Sequence, residues 1–345
     1  MSTPEEVVRV FRGSALESVH RGSWVVLEGD RIVDAGGRVE EFTYPRSALK
    51  PIQLLPHFAS PDFEAHGFDF ATRAILVASH SGDADHVAAV DRVLAAAAAE
   101  RSALACGPQD PLDRQARKAL YRSGGEGSAI HNNCSGKHAG FLLSARRLGA
   151  PLDGYLDPDH AVQVEVRDLL AELTGMSKSD LKPGIDGCGA PNWPLPLVAL
   201  AGLFRDLADP QRLPQRLACG ARRILEAVSR EPQFLAGRGR FDTALMRAGG
   251  AGLIGKCGAE GVFAVGVVPT STRPGLGIAM KIEDGNQRGY EKALPALLAA
   301  LGVLGAEPER TDGELAPFAR GLIRNTQGLV VGRAVSRWDE DFDRA

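Results

Sequence analysis

Lysine is scarce in this chain, because only eight of its 40 basic residues are lysine. Three of these lysines lie in short segments rich in Gly, Ser or Cys, namely PRSALKP (45–51), NNCSGKHAG (132–140) and LIGKCGAEG (253–261). Arginine stays protonated in proteins, whereas a partly buried lysine can lose its proton and act as a base. The placement of Lys50, Lys137 and Lys256 therefore indicates a chemical task that arginine cannot perform.

The chain also lacks a large net charge and long apolar runs. The formal net charge is −3 and the arginines are not gathered into one basic run, which argues against nucleic acid or an anionic membrane as partner. The longest apolar stretches, such as residues 94–99, are far too short to span a bilayer. With 44% hydrophobic and 24% charged residues, the composition is typical of a globular protein, and a small neutral or zwitterionic substrate fits it best.

Cysteine is limited to five widely spaced residues without a CxxC pair. An odd number of separated cysteines favours reduced thiols, as in the cytoplasm, over a disulfide framework. Glu5 and Glu6 stand where a secretory signal would carry basic residues and then an apolar stretch. We therefore expect a cytoplasmic protein.

Strand patterns at both ends of the chain and helix patterns in the middle predict one α+β domain over residues 1–345. Strands are expected in the opening forty residues, in 71–82, and in GVFAVGVVP and GLGIAMKIEDG, which we predict to be adjacent and antiparallel. The acidic end, about 338–345, is expected to be a solvated tail. Helices are expected at 84–104, 159–175, 196–208, 212–230 and 287–302.

The segment around Ser47 carries the first chemical signal, a Ser-x-x-Lys unit made with Lys50. Residues three apart on a helix share a face, so the two side chains can meet. Pro51 indicates that this helix begins at Ser47 or directly after it. A second lysine in the same pocket would lower the pKa of Lys50, and Lys256, bracketed by glycines, is the candidate.

Ser-x-x-Lys alone is a weak pattern, but its order along the chain adds weight. Serine hydrolases of the β-lactamase and penicillin-binding type carry Ser-x-x-Lys, a middle polar motif and then Lys-Thr-Gly on a strand. Here Lys256 is followed by Cys257 and Gly258, and this departure argues against a β-lactam substrate. Two alternatives stay open at this point: a penicillin-recognising or D-amino-peptide hydrolase, and a non-catalytic protein that binds zinc or an amino acid.

Five motifs in this order resemble the Rhizobium-type (class 3) L-asparaginases, the asparaginase II family: PRSALKPIQ, ASHSGD, HNNCSGKHAGFL, DGCGAP and IGKCGAEG. The resemblance implies the fold of serine β-lactamases, penicillin-binding proteins and glutaminases, with helices packed on an antiparallel sheet. It also implies a homodimer that hydrolyses L-asparagine to L-aspartate and ammonia. By motif, the catalytic serine–lysine pairs are Ser47 with Lys50 and Ser79 with Lys256, and either serine could be the nucleophile.

The resemblance further implies a zinc ion, not strictly required, that is held by Cys134, Lys137 and Cys188. Thiolates are good zinc ligands, but lysine is a rare one, and Cys134 and Cys188 lack the close spacing of a structural zinc site. The residues alone therefore favour small buried cysteines in Gly-rich turns.

Residues within the same motifs are predicted to hold the substrate. Arg46 could clamp an α-carboxylate and Asp186 could receive an α-ammonium group, although a structural ion pair is the alternative for Arg46. Ser81 lies close to Ser79 in the chain, and His138 has a supporting position beside Lys137.

Overall fold

The computed structural model describes residues 3–305 and 313–344. Its largest element is an eight-stranded antiparallel sheet in the order β11-β12-β1-β2-β10-β9-β8, with β3 paired to β2 beside this path. The strands of this sheet are β1 (Glu5–Arg12), β2 (Ala15–Glu28), β3 (Arg31–Gly36), β8 (Leu253–Gly258), β9 (Val262–Val267), β10 (Leu276–Ile282), β11 (Leu322–Arg324) and β12 (Val330–Ser336). Two small ribbons pair β4 (Phe42–Thr43) with β7 (Leu195–Pro196) and β5 (Gly184–Ile185) with β6 (Pro191–Asn192).

The long strand β2 links the two ends of the chain in this sheet. It pairs with β1 along its first half and with β10 along its second half. On the other side of β1, Val8 pairs with Ser336 of β12, so the sheet is completed by the C-terminal part of the chain. The predicted strands in the opening residues are confirmed, and so is the antiparallel pairing of GVFAVGVVP with GLGIAMKIEDG.

The four helices predicted at 159–175, 196–208, 212–230 and 287–302 are confirmed, with ends shifted by a few residues. The helices are α1 (Lys50–Gln53), α2 (Leu55–Phe58), α3 (Phe70–Leu76), α4 (Ala84–Ala96), α5 (Arg114–Arg122), α6 (Ser135–Arg147), α7 (Ala161–Thr174), α8 (Leu197–Ala208), α9 (Gln215–Arg230), α10 (Pro232–Leu235), α11 (Phe241–Gly249), α12 (Gln287–Ala300) and α13 (Ala316–Arg320). None of those described is long and apolar enough to cross a membrane.

Helices cover both faces of the sheet. Helix α8 packs against Gly266 and Gly277, where a Cβ would lie only 2.1 Å from a main-chain oxygen of the helix. On the opposite face, the Tyr290 ring of α12 lies 5.1 Å from the Phe263 ring of β9. Side chains alternate between the faces along a strand, so Gly266 and Phe263 point to opposite sides. The expected α+β class, with helices packed on an antiparallel sheet, is confirmed.

Helix α6 lies at the centre of the remaining helices and is buried from Ser135 to Ala145. It approaches α3 closely at Gly136, where a Cβ would lie 2.1 Å from the carbonyl oxygen of Ile75. Buried hydrophobic side chains continue from these helices into the sheet as one cluster. The polar segments that flank α3 and α6 therefore lie inside the molecule, next to the edge of the sheet.

The predicted strand at 71–82 is wrong, because these residues include most of α3 and the turn that follows it. Asp69 caps this helix by accepting a 2.7 Å hydrogen bond from the amide of Thr72. A short apolar run that is buried on all sides has no periodicity that separates a strand from a helix. Ser79 and Ser81 consequently follow a helix instead of a strand. The helix predicted at 84–104 also ends early, at Ala96, before Ala98 adopts a φ of 47°.

The C-terminal segment is not a solvated tail over its described part. Trp338 packs edge-to-face on Trp24, with ring centroids 5.2 Å apart. Asp339 forms a 2.8 Å ion pair with the mostly buried Lys292. These contacts attach the segment to the rest of the molecule, although its acidic composition is typical of a solvated tail.

We predict that Gly277→Ala destabilises the protein by about 1–3 kcal/mol, because the new methyl group would overlap the Ala201 carbonyl oxygen unless α8 moves away. The free energy of unfolding from urea denaturation measures this. Gly202→Ala, within α8, is the matched control: its Cβ would have no neighbour closer than 3.9 Å. Alanine there should stabilise the helix by about 0.5–1 kcal/mol. Equal effects of both substitutions would contradict the packing described.

Candidate active site

Two buried lysines converge on the hydroxyl group of Ser79. Lys50 Nζ lies 3.0 Å from Ser79 Oγ, and Lys256 Nζ lies 2.9 Å from the same atom. Both lysine side chains are at most 1% exposed and Ser79 is 4% exposed. Such an arrangement places two groups that can give or take a proton on one hydroxyl in a site with little water.

Each of these residues is fixed by a different part of the fold. Lys50 begins α1, Ser79 lies in the connection between α3 and α4, and Lys256 is on the edge strand β8. The amide of Ser79 donates to the Leu235 carbonyl at 2.9 Å, which holds its backbone against the end of α10. The three side chains can therefore meet only when the helical part of the chain is packed on β8.

Lys50 lies among main-chain carbonyls and the Ser79 hydroxyl. Its ammonium group donates to the Ala78 carbonyl at 2.6 Å and to Ser79 Oγ, and the Asn133 carbonyl lies at 3.5 Å. Burial lowers the pKa of Lys50, and the charges of Lys256 and Lys137 lower it further, against the opposing effect of Cys134. These surroundings favour loss of its proton, as a general base requires.

Lys256 has a carboxylate partner that the sequence patterns did not reveal. Its Nζ lies 3.4 Å from Asp242 Oδ1, and both side chains are buried. Burial raises the pKa of Asp242, but the charges of Lys256 and Arg240 lower it more, so the net shift is downward. Asp242 lies in the first turn of α11, outside every motif that we singled out, and only its placement beside β8 identifies it.

The predicted contact between Ser47 and Lys50 is not formed. Ser47 lies in a 3₁₀ turn, Arg46–Leu49, and among the described residues its Oγ has no hydrogen-bond partner. The predicted helix start is close to the observed one, since this turn leads directly into α1. Lys50 extends inward to Ala78 and Ser79 instead. The Ser47 hydroxyl, half-buried, is left free for another partner.

The turn that carries Ser47 is pressed against β8. A Cβ at Gly258 would lie 2.2 Å from the carbonyl oxygen of Pro45, so only glycine allows this approach. Arg46 adopts a φ of 54°, a left-handed conformation that side-chain-bearing residues avoid. The close approach and the unusual backbone together place Ser47 beside the strand that bears Lys256.

Arg46 and Asp186 are brought together as a pair. Arg46 Nη2 donates to Asp186 Oδ1 at 2.9 Å, and Nε lies 3.3 Å from the same oxygen. Burial raises the pKa of Asp186, but the hydrogen bond and charge of Arg46 reverse this, and its pKa is lowered overall. Neither side chain is fully buried, so the pair faces an accessible part of the site.

Ser81 and His138 have structural partners. Ser81 Oγ donates to the Ala236 carbonyl at 2.8 Å and has no hydrogen bond to Lys50 or Lys256. His138 Nδ1 lies 2.7 Å from the hydroxyl of Tyr155. Burial lowers the pKa of His138 well below its ordinary range, which keeps the ring neutral. These contacts agree with supporting roles and not with direct proton transfer.

Cys134, Lys137 and Cys188 form a second buried cluster next to Lys50. Lys137 Nζ lies 3.2 Å from Cys188 Sγ. A hydrogen bond from Cys188, together with the nearby Lys50 and Lys137, lowers the pKa of the Cys134 thiol well below its ordinary range, while the same bond raises that of Cys188. Burial by itself would lower the pKa of Lys137. The two thiols have the larger, opposite effect, so the pKa of Lys137 is raised overall.

The donor atoms of this cluster are of the right type for zinc, because two thiols and an amine converge in a buried position. Over residues 3–305 and 313–344, no group of three His, Cys, Asp or Glu side chains could hold a metal ion. A site with three protein ligands at this position therefore requires Lys137, whose amine must release a proton before it can coordinate a metal. We therefore propose that Cys134, Lys137 and Cys188 are the ligands of a zinc ion.

The model of the L-asparaginase II family matches residues 8–336. The chain thus belongs to the L-asparaginase II family, and the resemblance seen in its motifs is confirmed. Membership makes it an amidohydrolase that acts on a small amide. No curated protein matches the chain.

Similar solved structures include a probable glutaminase from Bacillus subtilis complexed with 6-diazo-5-oxo-L-norleucine, which is 13% identical. The match covers 82% of this chain and 85% of that one, with a TM-score of 0.40. A β-lactamase from Desulfarculus baarsii is 15% identical, with 76% and 82% covered and a TM-score of 0.36. A likeness this distant says nothing about activity.

We predict that Cys188→Ser reduces bound zinc by at least about tenfold, because a neutral hydroxyl is a far weaker zinc ligand than a thiolate. Elemental analysis of the purified, folded protein measures the metal content. Cys106→Ser is the control, since Cys106 is also buried but its thiol bonds the Ala129 carbonyl and is not part of the cluster. An unchanged zinc content in Cys188→Ser would show that the ligand set is wrong.

Proposed function

We propose that this protein is an L-asparaginase that hydrolyses the side-chain amide through a serine ester. The observation that carries the proposal is the hydroxyl of Ser79, held between Lys50 Nζ and Lys256 Nζ at 3.0 and 2.9 Å in a buried site. A hydroxyl between two amines can pass a proton from one to the other. Acyl transfer needs this twice, first to activate the nucleophile and then to protonate the leaving ammonia.

Ser47 is the proposed nucleophile. Its hydroxyl is more exposed than that of Ser79 and has no hydrogen-bond partner in the described part of the chain, so a substrate carbonyl can approach it. Lys50, in its neutral form, takes the proton of Ser47 as the C–O bond forms, a step that requires its amine to turn from Ser79 Oγ to the Ser47 hydroxyl. The lowered pKa of Lys50 supports this role.

Ser79 and Lys256 are the proposed acid in the next step. Lys256 donates to Ser79, and Ser79 donates to the amide nitrogen as the C–N bond breaks and ammonia leaves. Lys50 then passes its proton through Ser79 to Lys256, so that both lysines return to their starting states. Water attacks the aspartyl ester of Ser47 as Lys50 accepts its proton, and Lys50 returns that proton to Ser47 as the C–O bond breaks and L-aspartate is released. If Ser79 attacks instead, the two serines exchange these roles.

Arg46 and Asp186 are proposed to recognise the backbone of the amino acid. Their mutual ion pair offers a guanidinium for the α-carboxylate and a carboxylate for the α-ammonium group. A zwitterion can insert between them because each of its charged groups replaces one half of the existing pair.

Ser81 and His138 would support this pocket from behind through their bonds to Ala236 and Tyr155. A bound zinc ion would add a positive charge beside Lys50. In this setting Cys134, Lys137 and Cys188 hold the connection before α6 and the β5–β6 turn in place. The cytoplasmic location and the homodimer stay predictions.

We predict that the purified protein hydrolyses L-asparagine with a kcat/KM at least about tenfold higher than for L-glutamine. One added methylene would shift the amide carbonyl away from Ser47, and such a difference is worth about 10–200-fold. Ammonia release, measured by a coupled assay with L-asparagine, L-glutamine and D-asparagine in parallel, checks this.

The double variant Ser47→Ala/Ser79→Ala provides the control, because ammonia release that survives the loss of both serines must come from a contaminant or from another site. Equal or preferential turnover of L-glutamine would reject the assignment to L-asparagine. Turnover of nitrocefin, with no ammonia from either amino acid, would favour the penicillin-recognising alternative.

We further predict that Lys50→Arg lowers kcat by about 10²-fold or more, because arginine keeps the charge but cannot act as a base. The melting temperature should change little if the guanidinium finds the same carbonyl acceptors. Lys118→Arg, on the exposed surface of α5, controls for the exchange itself. A Lys50→Arg enzyme with wild-type kcat would defeat the serine–lysine mechanism.

A further inference from the structure

The two lysines at Ser79 have different surroundings. Lys50 Nζ contacts two main-chain carbonyls and Ser79 itself, and its acidic neighbours are the thiols of Cys134 and Cys188 instead of a carboxylate. Lys256 Nζ contacts Ser79 Oγ at 2.9 Å, the Cys257 carbonyl at 3.1 Å and Asp242 Oδ1 at 3.4 Å. An ammonium group has three N–H donors, and these three oxygens can accept all of them. The position of Lys256 Nζ is therefore fixed from three directions.

Asp242 is held as firmly as the lysine that it contacts. Its side chain is 2% exposed, and its Oδ1 also accepts a 2.9 Å hydrogen bond from the amide of Cys257. One carboxylate oxygen thus contacts both the side chain of Lys256 and the backbone of the next residue on β8. This joins the first turn of α11 to the strand at the point where the lysine leaves it.

We propose that Asp242 is a positioning residue that orients Lys256 toward Ser79 and so gives the two lysines different roles. With a carboxylate beside it, Lys256 is held in position to donate to Ser79. Lys50 has no carboxylate partner among the described residues. This inference rests on the proposed hydrolase function and adds to it a residue that touches neither the substrate nor the reacting atoms.

A buried ion pair with a purely structural role is the competing explanation. The chain offers a matched pair for comparison: Lys292 and Asp339 are 2.8 Å apart, mostly buried, and tie α12 to the C-terminal segment. Asp339→Asn should lower the melting temperature without changing kcat. Asp242→Asn keeps an oxygen for the Cys257 amide but removes the charge that faces Lys256.

The experiment measures kcat, KM and melting temperature with L-asparagine for five proteins: wild type, Asp339→Asn, Asp242→Asn, Lys256→Met and the double variant Asp242→Asn/Lys256→Met. We expect Asp242→Asn to lower kcat by about 10²-fold while KM changes less than about threefold. In the Lys256→Met background, the same substitution should change kcat by less than about threefold, because a residue that acts through Lys256 has nothing left to orient.

Several results would overturn the inference. These are a wild-type kcat in Asp242→Asn, a change confined to KM, or a further large loss in the double variant. If Asp242→Asn does not fold, the comparison of Lys256→Met with the double variant decides alone, since the double variant removes the carboxylate together with the lysine that it faces. A wild type that releases ammonia from no amino acid would reject the proposed function instead, and the two failures are therefore distinguishable.

Discussion

Burial of two lysine amines around one hydroxyl is the constraint on which the rest of this structure depends. A lysine ammonium that leaves water loses several kcal/mol of solvation unless partners replace the water. The partners that replace water differ between the two lysines: main-chain carbonyls surround Lys50, and a carboxylate lies beside Lys256. The connections that supply these partners must therefore be placed to within a hydrogen-bond length.

This requirement explains why the site lies where the helices meet the edge of the sheet. Strand β8 supplies a rigid backbone for Lys256, while α3 and α6 present the ends of two connections, with the Ala78 and Asn133 carbonyls, to Lys50. Glycines at 136 and 258 let these elements approach to near contact. The same packing that buries the core thus brings the reactive groups together, so that catalysis and stability share one set of contacts.

Much of this arrangement could be predicted from the sequence. Alternating strands at both ends of the chain gave the antiparallel sheet, and the scarcity of lysine singled out Lys50, Lys137 and Lys256, all of which lie buried at the site. The pairing of Ser47 with Lys50 could not be judged, because three residues of spacing do not determine which way a long side chain turns. Asp242 was missed because its role depends on a contact between α11 and β8, and no local pattern encodes such a contact. The segment 71–82 was assigned to a strand because its apolar run carries no periodicity.

The backbone at Arg46 has a consequence for efforts to stabilise the protein. A positive φ at a residue with a side chain costs about 1–3 kcal/mol, and glycine would remove this cost. A search for thermostable variants guided by backbone geometry alone would therefore select glycine at position 46. That choice would delete the guanidinium that pairs with Asp186 at the accessible side of the site. If Arg46 binds the substrate as proposed, thermal tolerance and substrate affinity are opposed at this one position, and an engineer would have to seek stability elsewhere.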